Sequence, residues 1–409
     1  MKILVLTQYF WPENFQINDL VAGLVEKGHK VTVLTGIPNY PGGSFFHGYG
    51  LFKNLRQDYR GVKVVRVPLV ARGKGKNIRL LLNYLSFAFF ASILGPFVAK
   101  GEYDLIFVYE PSPITVALPA ILLKKIKSAP VFLWVQDLWP ESLFATGAVK
   151  SPLLLKFVKK LVHFIYHECN LILVQSRAFI PSIRNFGIEI SRISYFPNSA
   201  EEFYRPLELE NDAIERREIP KGFIIMFAGN VGVAQDFETI ISAAEELKNH
   251  KDIYWVIIGD GRMRLWVEKE IKARGLMRNI MLIGRRPPEM MPRYFALADV
   301  LLVTLRNEEI FKLTIPSKVQ SYLACAKPII ASLAGEGAKI IEESQAGFSC
   351  SPENPSALAA LVLKMYHMDE SELREMGLNS RRYFENNFCR SKLINQLDDL
   401  IKGIKRVKS

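Results

Sequence analysis

Three short stretches carry residue types that can handle a charged, hydroxyl-rich ligand. "FAGNVG", residues 227–232, closes an apolar run with Gly229, Asn230 and Gly232. "IIGDGRM", residues 257–263, repeats the device with Gly259, Asp260 and Gly261. Glycines at a strand end let the backbone approach a ligand, and a helix starting just after offers N–H groups to a phosphate. The plain alternative is a tight strand-to-helix turn. "TIPSKVQSYLACAKPIIAS", residues 314–332, puts Ser317 and Lys318 in the first turn of a helix-length segment without a carboxylate, with Ser321 one turn on. A cation there can stabilise charge developing on a phosphate leaving group. The alternative is a solvated surface lysine. The full G-x-G-x-x-G pattern is absent and Asp260 is misplaced for a ribose-binding acid, which argues against an NAD-linked dehydrogenase.

The first half supplies carboxyl and amide groups. "VQDLWPES", residues 135–142, sets Gln136 and Asp137 at a strand end between Trp134 and Trp139. Asp137 can serve a sugar hydroxyl or cap the next helix, and both readings stay open. Glu110 of "YEPSP" has the same two readings, and Asn14 of "YFWPENFQIND" follows the first strand. His29 sits at a helix–strand junction, where a structural role is expected. The six His are scattered, and the four Cys (169, 325, 350, 389) show no metal-pair spacing. No metal site is therefore expected, and the thiols read as reduced, in keeping with a cytosolic compartment.

Elements that could position these groups alternate along 409 residues, enough for two domains. Short β-rich runs ("KILVLTQYF", "HKVTVLTG", "VKVVRVPLV", "YDLIFVYE", "APVFLWVQD", "CNLILVQS") are separated by helix-length segments. The second half repeats the scheme with "FIIMFAGN", "IYWVIIGDG", "IMLIGR", "VLLVTL" and "KPIIAS". The fold class predicted is α/β: two Rossmann-like domains facing a cleft. The polar, charge-rich stretch 195–222 marks the boundary. It gives an N-terminal domain over 1–200, a ligand-binding C-terminal domain over 201–384, and a last helix, about 385–409, free to return to the first domain.

The charge is uneven. Residues 1–200 hold 23 Lys+Arg against 11 Asp+Glu, the whole of the +12 excess, whereas 201–409 hold 30 of each. A basic half fits phosphorylated ligands or an anionic membrane surface. With no aromatic-interleaved basic motif, nucleic acid is not expected as a partner. Leu80–Ala99 is a 20-residue stretch free of charge, preceded by Arg72, Lys74, Lys76 and Arg79. Strands of one sheet are predicted on both sides of it, which disfavours a span. It reads as a helix seated on the bilayer surface, or else as one buried against the sheet. "SPLLLKFVKKLVHFIYHE", with Lys156, Lys159 and Lys160, adds a second basic-apolar segment.

Taken in order, "MKILVLTQYFWPE…LVEKGHKVTVLTG", "FPNS", "AGNVG", "IGDG", "PSKVQSYLACAKPIIAS" and "AGFSCSPENPSALAALV" resemble the family 4 retaining glycosyltransferases of the GT-B fold. The nearest branch serves bacterial O-antigen, capsule and colanic acid assembly and includes L-fucosamine transferases. The resemblance spans nearly the whole chain. It implies transfer from a nucleotide-diphosphate sugar, with UDP-N-acetyl-deoxyhexosamine as the expected donor, to a lipid-diphosphate-linked glycan. Retention, no cofactor and no obligatory metal are implied. So is a peripheral or monotopic position on the cytoplasmic side of the inner membrane. Donor binding falls to Gly229, Asn230, Gly232, Gly259, Gly261, Ser317, Lys318 and Ser321, catalysis to Asp137 and Lys318, and the acceptor side to Asn14, Glu110 and Gln136.

Three features depart from that family's pattern. Where many members carry two Glu eight positions apart, this chain has Leu313 and Ser321. The loop after "AGN" reads "NVGVAQDFE", with Gln235 and no base, leaving Lys318, the nearby amides, and Arg262, Arg285 or Arg286 as phosphate candidates. Gln136 or its neighbourhood stands where several members have His. The missing acidic pair keeps two other readings alive: a sugar-nucleotide epimerase of the same fold, and a non-catalytic component of a polysaccharide assembly complex.

Overall fold

The computed structural model describes residues 1–73, 77–145 and 151–408. The chain divides into two compact units, Met1–Pro197 with Leu393–Ser409, and Asn198–Lys392. Both are α/β with parallel sheets, the two Rossmann-like domains of a GT-B chain.

The strands of the first unit are β1 (Lys2–Leu6), β2 (Lys30–Gly36), β3 (Arg56–Tyr59), β4 (Val62–Val67), β5 (Leu105–Glu110), β6 (Val131–Val135), β7 (Leu171–Val174) and β8 (Ile193–Tyr195). They form one sheet in the order β3-β4-β2-β1-β5-β6-β7-β8, parallel except for the edge strand β3. Its helices are α1 (Gln16–Glu26), α2 (Asn77–Val98), α3 (Ala117–Lys127), α4 (Glu141–Ala145), α5 (Pro152–Glu168) and α6 (Phe179–Arg184). The chain builds outward from β1 on one side and returns to β5 on the other. The order of the sheet therefore reverses between β1 and β5, where the loops at the strand ends part and leave room for a ligand.

Helix α2 lies against the sheet by one face only. Asn83, Phe87, Ala88 and Ala91 are buried, while Ile78, Leu81, Leu82, Leu85, Phe89, Ile93 and Phe97 are exposed. The spacing of the exposed set, three to four residues, is one stripe of a helix. The helix is long and apolar enough to cross a membrane by length and composition, yet β4 and β5 on either side of it belong to one sheet. One face of it is buried against the sheet and the other is exposed.

The helix Arg390–Lys408 packs on the first unit, with Leu393, Ile394, Leu397 and Ile401 in the core built by β1, β2 and α1. Asp398 meets His29 at 2.9 Å and Lys402 at 2.7 Å. His29 is thus structural, a buried partner for the returning helix.

The second unit holds β9 (Phe223–Ala228), β10 (Ile253–Ile258), β11 (Ile280–Gly284), β12 (Val300–Thr304), β13 (Ile329–Ser332) and β14 (Gly347–Cys350). All are parallel, in the order β11-β10-β9-β12-β13-β14. Both faces are covered, so the central strands are apolar throughout rather than alternating. Ile224, Met226 and Ala228 of β9 enter one core, and Ile225 and Phe227 enter the other. Here the order reverses between β9 and β12.

Candidate functional site

The second unit carries a pocket of about 640 Å³ at the C-terminal ends of β9 and β10. Gly229, Asn230, Gly259, Asp260, Ser317, Lys318 and Ser321 line it, joined by Tyr204, Gln235, Arg285 and Arg286. Gly232 and Gly261 stand outside that lining. They make room for the Asn230 side chain, because a Cβ on Gly232 would come within 2.4 Å of its Nδ2 and one on Gly261 within 2.6 Å of its Oδ1.

Two glycines set the geometry. Gly259, at φ +149°, packs so tightly on the neighbouring loop that a Cβ would lie 1.8 Å from the carbonyl oxygen of Gly229. Gly229, at φ +142°, leaves space for the Lys318 side chain, whose Cε would be 2.6 Å from an added Cβ. Both conformations are ones that only glycine adopts freely.

Lys318 is at the start of the helix Ser317–Ala324, preceded by Pro316, so the helix N-terminus and its lysine open on the same pocket. Its ammonium donates to Gln235 Oε1 at 2.6 Å and lies 3.6 Å from the centre of the Phe227 ring. No carboxylate pairs with it among the described residues. Burial pushes its pKa well below the ordinary lysine value.

The arginines separate by their partners. Arg286 is held by Tyr294 at 2.9 Å and Glu218 at 3.1 Å. Arg285 is exposed on the pocket wall with no side-chain partner among the described residues, and Arg262 does not line the pocket. Ser321 donates to the Ser317 carbonyl at 3.1 Å. Burial and neighbouring Glu201 raise the Tyr204 phenol, which also hydrogen-bonds Ser321. Leu313, the other position departing from the family's acidic pair, ends a short helix and is half-buried.

In the first unit, Asp137 follows β6 and takes the Trp139 indole N–H at 3.3 Å and hydroxyls of Ser112 and Ser142. Ser142 belongs to the next helix, α4, so Asp137 is tied to that helix through a side-chain hydroxyl. Ser112 holds φ +127°, a conformation side chains rarely adopt and one that costs about 1–3 kcal/mol. Glu110 ends β5 and is fully buried, so it stands behind the surface and touches no ligand there. Its nearest polar neighbours are the backbone N–H groups of Asp137 and Gln136, and no side chain among the described residues hydrogen-bonds its oxygens. Burial, then the charge of Asp137, pushes its pKa well above the usual carboxylate range. Gln136 is half-buried with its Nε2 unpartnered, and Asn14 is exposed.

The spacing of the sequence gave no notice of Glu13. Its Oε1 accepts from the backbone N–H groups of Asn39 and Tyr40, both at 2.7 Å, and its Oε2 from that of Phe10 at 3.1 Å. Burial pushes its pKa up to about 7 against those three bonds. Glu13 thereby ties the loop after β1 to the loop after β2. "WPEN" offered the only signal, a carboxylate among aromatic and turn residues.

The chain thus combines two parallel-sheet domains with a glycine-built pocket that encloses a lysine. Comparison with known proteins gives the class its name. Residues 14–199 match the model described as "Glycosyl transferase 4-like domain", and residues 210–383 match "Glycosyl transferases group 1". The chain belongs to the family 4 glycosyltransferases of the GT-B fold. It is 33% identical to the probable glycosyltransferase WbjE of Pseudomonas aeruginosa, over 62% of this chain and 66% of that protein. It is 26% identical to WcaI of Escherichia coli, a putative colanic acid biosynthesis glycosyl transferase, over 79% and 81%. The structure of Anabaena HepE in complex with UDP covers 98% of this chain and 100% of its own, with a TM-score of 0.69 and 15% identity. Both family models describe transferases, which favours neither the epimerase nor the non-catalytic reading.

Proposed function

We propose that the protein moves a sugar from a nucleotide-diphosphate donor to a lipid-linked glycan acceptor during assembly of a bacterial surface polysaccharide. The observation that carries this reading is Lys318, an enclosed ammonium with no carboxylate partner at a helix N-terminus. A diphosphate supplies the missing anion. As the sugar–phosphate bond breaks, negative charge grows on the leaving diphosphate, and a preorganised cation stabilises it more than it stabilises the bound donor. HepE is described in complex with UDP, and that supports UDP as the first donor nucleotide to try. UDP-N-acetyl-deoxyhexosamine, retention at the anomeric carbon, and action without an obligatory metal complete the proposal. The test has two parts. Titration calorimetry with UDP should show binding to the wild type and about 100-fold weaker binding to Lys318→Ala. A labelled-sugar transfer screen across UDP-, GDP- and dTDP-sugars with EDTA present then identifies the donor. No nucleotide binding by the wild type would sink the reading.

We also propose that the first unit rests on the cytoplasmic face of an anionic membrane. The outer stripe of α2 adjoins α3, with exposed Leu122 and Ile126, which in turn packs on α5, with exposed Leu153 and Phe157. Lys124, Lys125, Lys127, Lys156, Lys159 and Lys160 lie on the same two helices. Apolar area with surrounding lysines fits an anionic bilayer surface. Arg72 precedes the helix and Arg79 lies in its first turn, whereas Lys74 and Lys76 lie outside the described residues. Flotation with phosphatidylglycerol vesicles should fall sharply in a Leu81, Leu85, Phe89→Ser variant. Unchanged flotation would refute the membrane reading.

A further inference from the structure

Lys318 does not stand alone in the pocket of the second unit. Gln235 Oε1 accepts from its ammonium at 2.6 Å, and the centre of the Phe227 ring lies 3.6 Å from the same nitrogen. An ammonium has three N–H donors, and Gln235 accepts one of them. No carboxylate among the described residues takes another.

The bond to Lys318 also fixes the Gln235 carboxamide. Only its oxygen can accept from an ammonium, so the Oε1 end faces Lys318 and the Nε2 end turns away. Nε2 has no hydrogen-bond partner among the described residues. It is not sealed in the interior either, because Gln235 is half-buried and lines the pocket. A free amide donor therefore stands on the pocket wall beside the lysine.

The backbone under this side chain is held from the far side of the sheet reversal. Gln235 ends a 3₁₀ turn, Val233–Gln235, that follows β9. Thr304, the last residue of β12, donates its hydroxyl to the Gln235 carbonyl at 2.5 Å, and the Arg306 N–H donates to the Ala234 carbonyl at 3.0 Å. Phe237, two residues on, is buried and sets its ring edge-on to Phe227 at 5.0 Å. The ring that carries the lysine thus also braces the loop that carries the glutamine. Both ends of the Gln235–Lys318 bond are set by the core.

One atom decides what this bond does. Glu has the same shape, and in this place it would neutralise Lys318 as an ion pair. Gln offers an acceptor without a charge, so it locates the ammonium and leaves its charge for a ligand.

We propose that Gln235 is both the positioning residue for Lys318 and a phosphate donor of the pocket in its own right. Its Oε1 aims the ammonium, and its Nε2–H group bonds the same diphosphate. The proposal rests on the donor reading above. It states how the pocket presents two donors to one anion although the loop after β9 holds no basic residue.

The full-length protein and two variants of nearly equal side-chain size are titrated with UDP and inorganic diphosphate by calorimetry. Uridine binding is read by saturation-transfer NMR, which detects weak ligands. Gln235→Met removes both hydrogen-bonding ends. It should weaken UDP and inorganic diphosphate about 10-fold or more and leave uridine unchanged. Gln235→Glu keeps an acceptor for Lys318 but brings a charge. It should weaken UDP at least as much. It should also abolish the proton uptake that accompanies UDP binding to the wild type at about pH 9, because its carboxylate keeps Lys318 protonated beforehand. A merely structural side chain would weaken uridine in step with UDP and leave the proton uptake intact. Either of those results, or UDP affinity of Gln235→Met within about 2-fold of the wild type, would overturn the proposal. Absence of UDP binding by the wild type would remove the donor reading, and inorganic diphosphate then scores Gln235 by itself. If the wild type bound neither, both would fall.

Discussion

The two units solve the same topological problem with different materials. Each is a parallel sheet whose strand order reverses once, β1/β5 in the first and β9/β12 in the second. At the second reversal the chain uses glycines, backbone and one lysine. At the first it uses aromatic rings, an arginine and a pair of carboxyls. The sheets fix where a ligand can sit, and the loops fix its chemistry. The glycine-built pocket is walled by backbone and Lys318, whereas the crevice of the first unit is walled by side chains.

The largest expected effect tests that division directly. Lys318→Ala should lower sugar transfer by about 10²–10³-fold by removing charge stabilisation from the leaving group. Asp137→Asn should also slow transfer, through the acceptor KM, while leaving UDP affinity at the wild-type value. If Asp137→Asn weakened UDP and Lys318→Ala did not, the assignment of donor to one unit and acceptor to the other would be reversed.

Next comes the glycine construction. Gly259→Ala places a Cβ 1.8 Å from a backbone oxygen at a positive φ, and no side-chain movement relieves it. It should cost about 3 kcal/mol or more, read by denaturant unfolding of the full chain. A drop below about 1 kcal/mol would show that the two loops are not packed as described.

The returning helix tests the first unit. Asp398→Ala leaves the Nε2 of buried His29 without its carboxylate and should cost about 2–4 kcal/mol. The bonds from Lys402 and His29 outweigh burial and lower the pKa of Asp398. Its stabilising contribution is therefore complete above the ordinary carboxylate pKa and lost as pH falls through the lowered value. The wild type should lose stability in acid more steeply than the variant.

Much of this was legible in the residues, for definite reasons. Strands buried on both faces, such as β9 and β10, write themselves as apolar runs, and glycines at their ends mark the turns that follow. Lys318 stood out because Pro316-Ser317 opens a helix. The crevice was less readable because its members come from five separated stretches, at Tyr9, Arg72, Tyr84, Ser112 and Asp137. Only the strand order brings them together, and no local spacing encodes it. Glu110 was visible as a carboxylate at a strand end, but its burial depends on what α3 and β6 place over it. Glu13 satisfies three backbone groups from two loops distant in sequence, a role without any pattern of its own.

The smallest effect is the most specific to the glycine-built pocket. Free Lys318 has a pKa well below the ordinary lysine value because its ammonium is enclosed. A bound diphosphate favours the charged form and raises that pKa. At a pH above the free-state value, binding must therefore take up a proton, and UDP affinity should decline as pH rises, by at most 10-fold per pH unit. Calorimetry at one pH in buffers of different ionisation enthalpy reads the proton uptake directly. Lys318→Gln should abolish it, whereas Arg72→Gln, on the other unit, should leave it unchanged. Uptake that disappeared with Arg72 and persisted without Lys318 would place the diphosphate in the wrong unit.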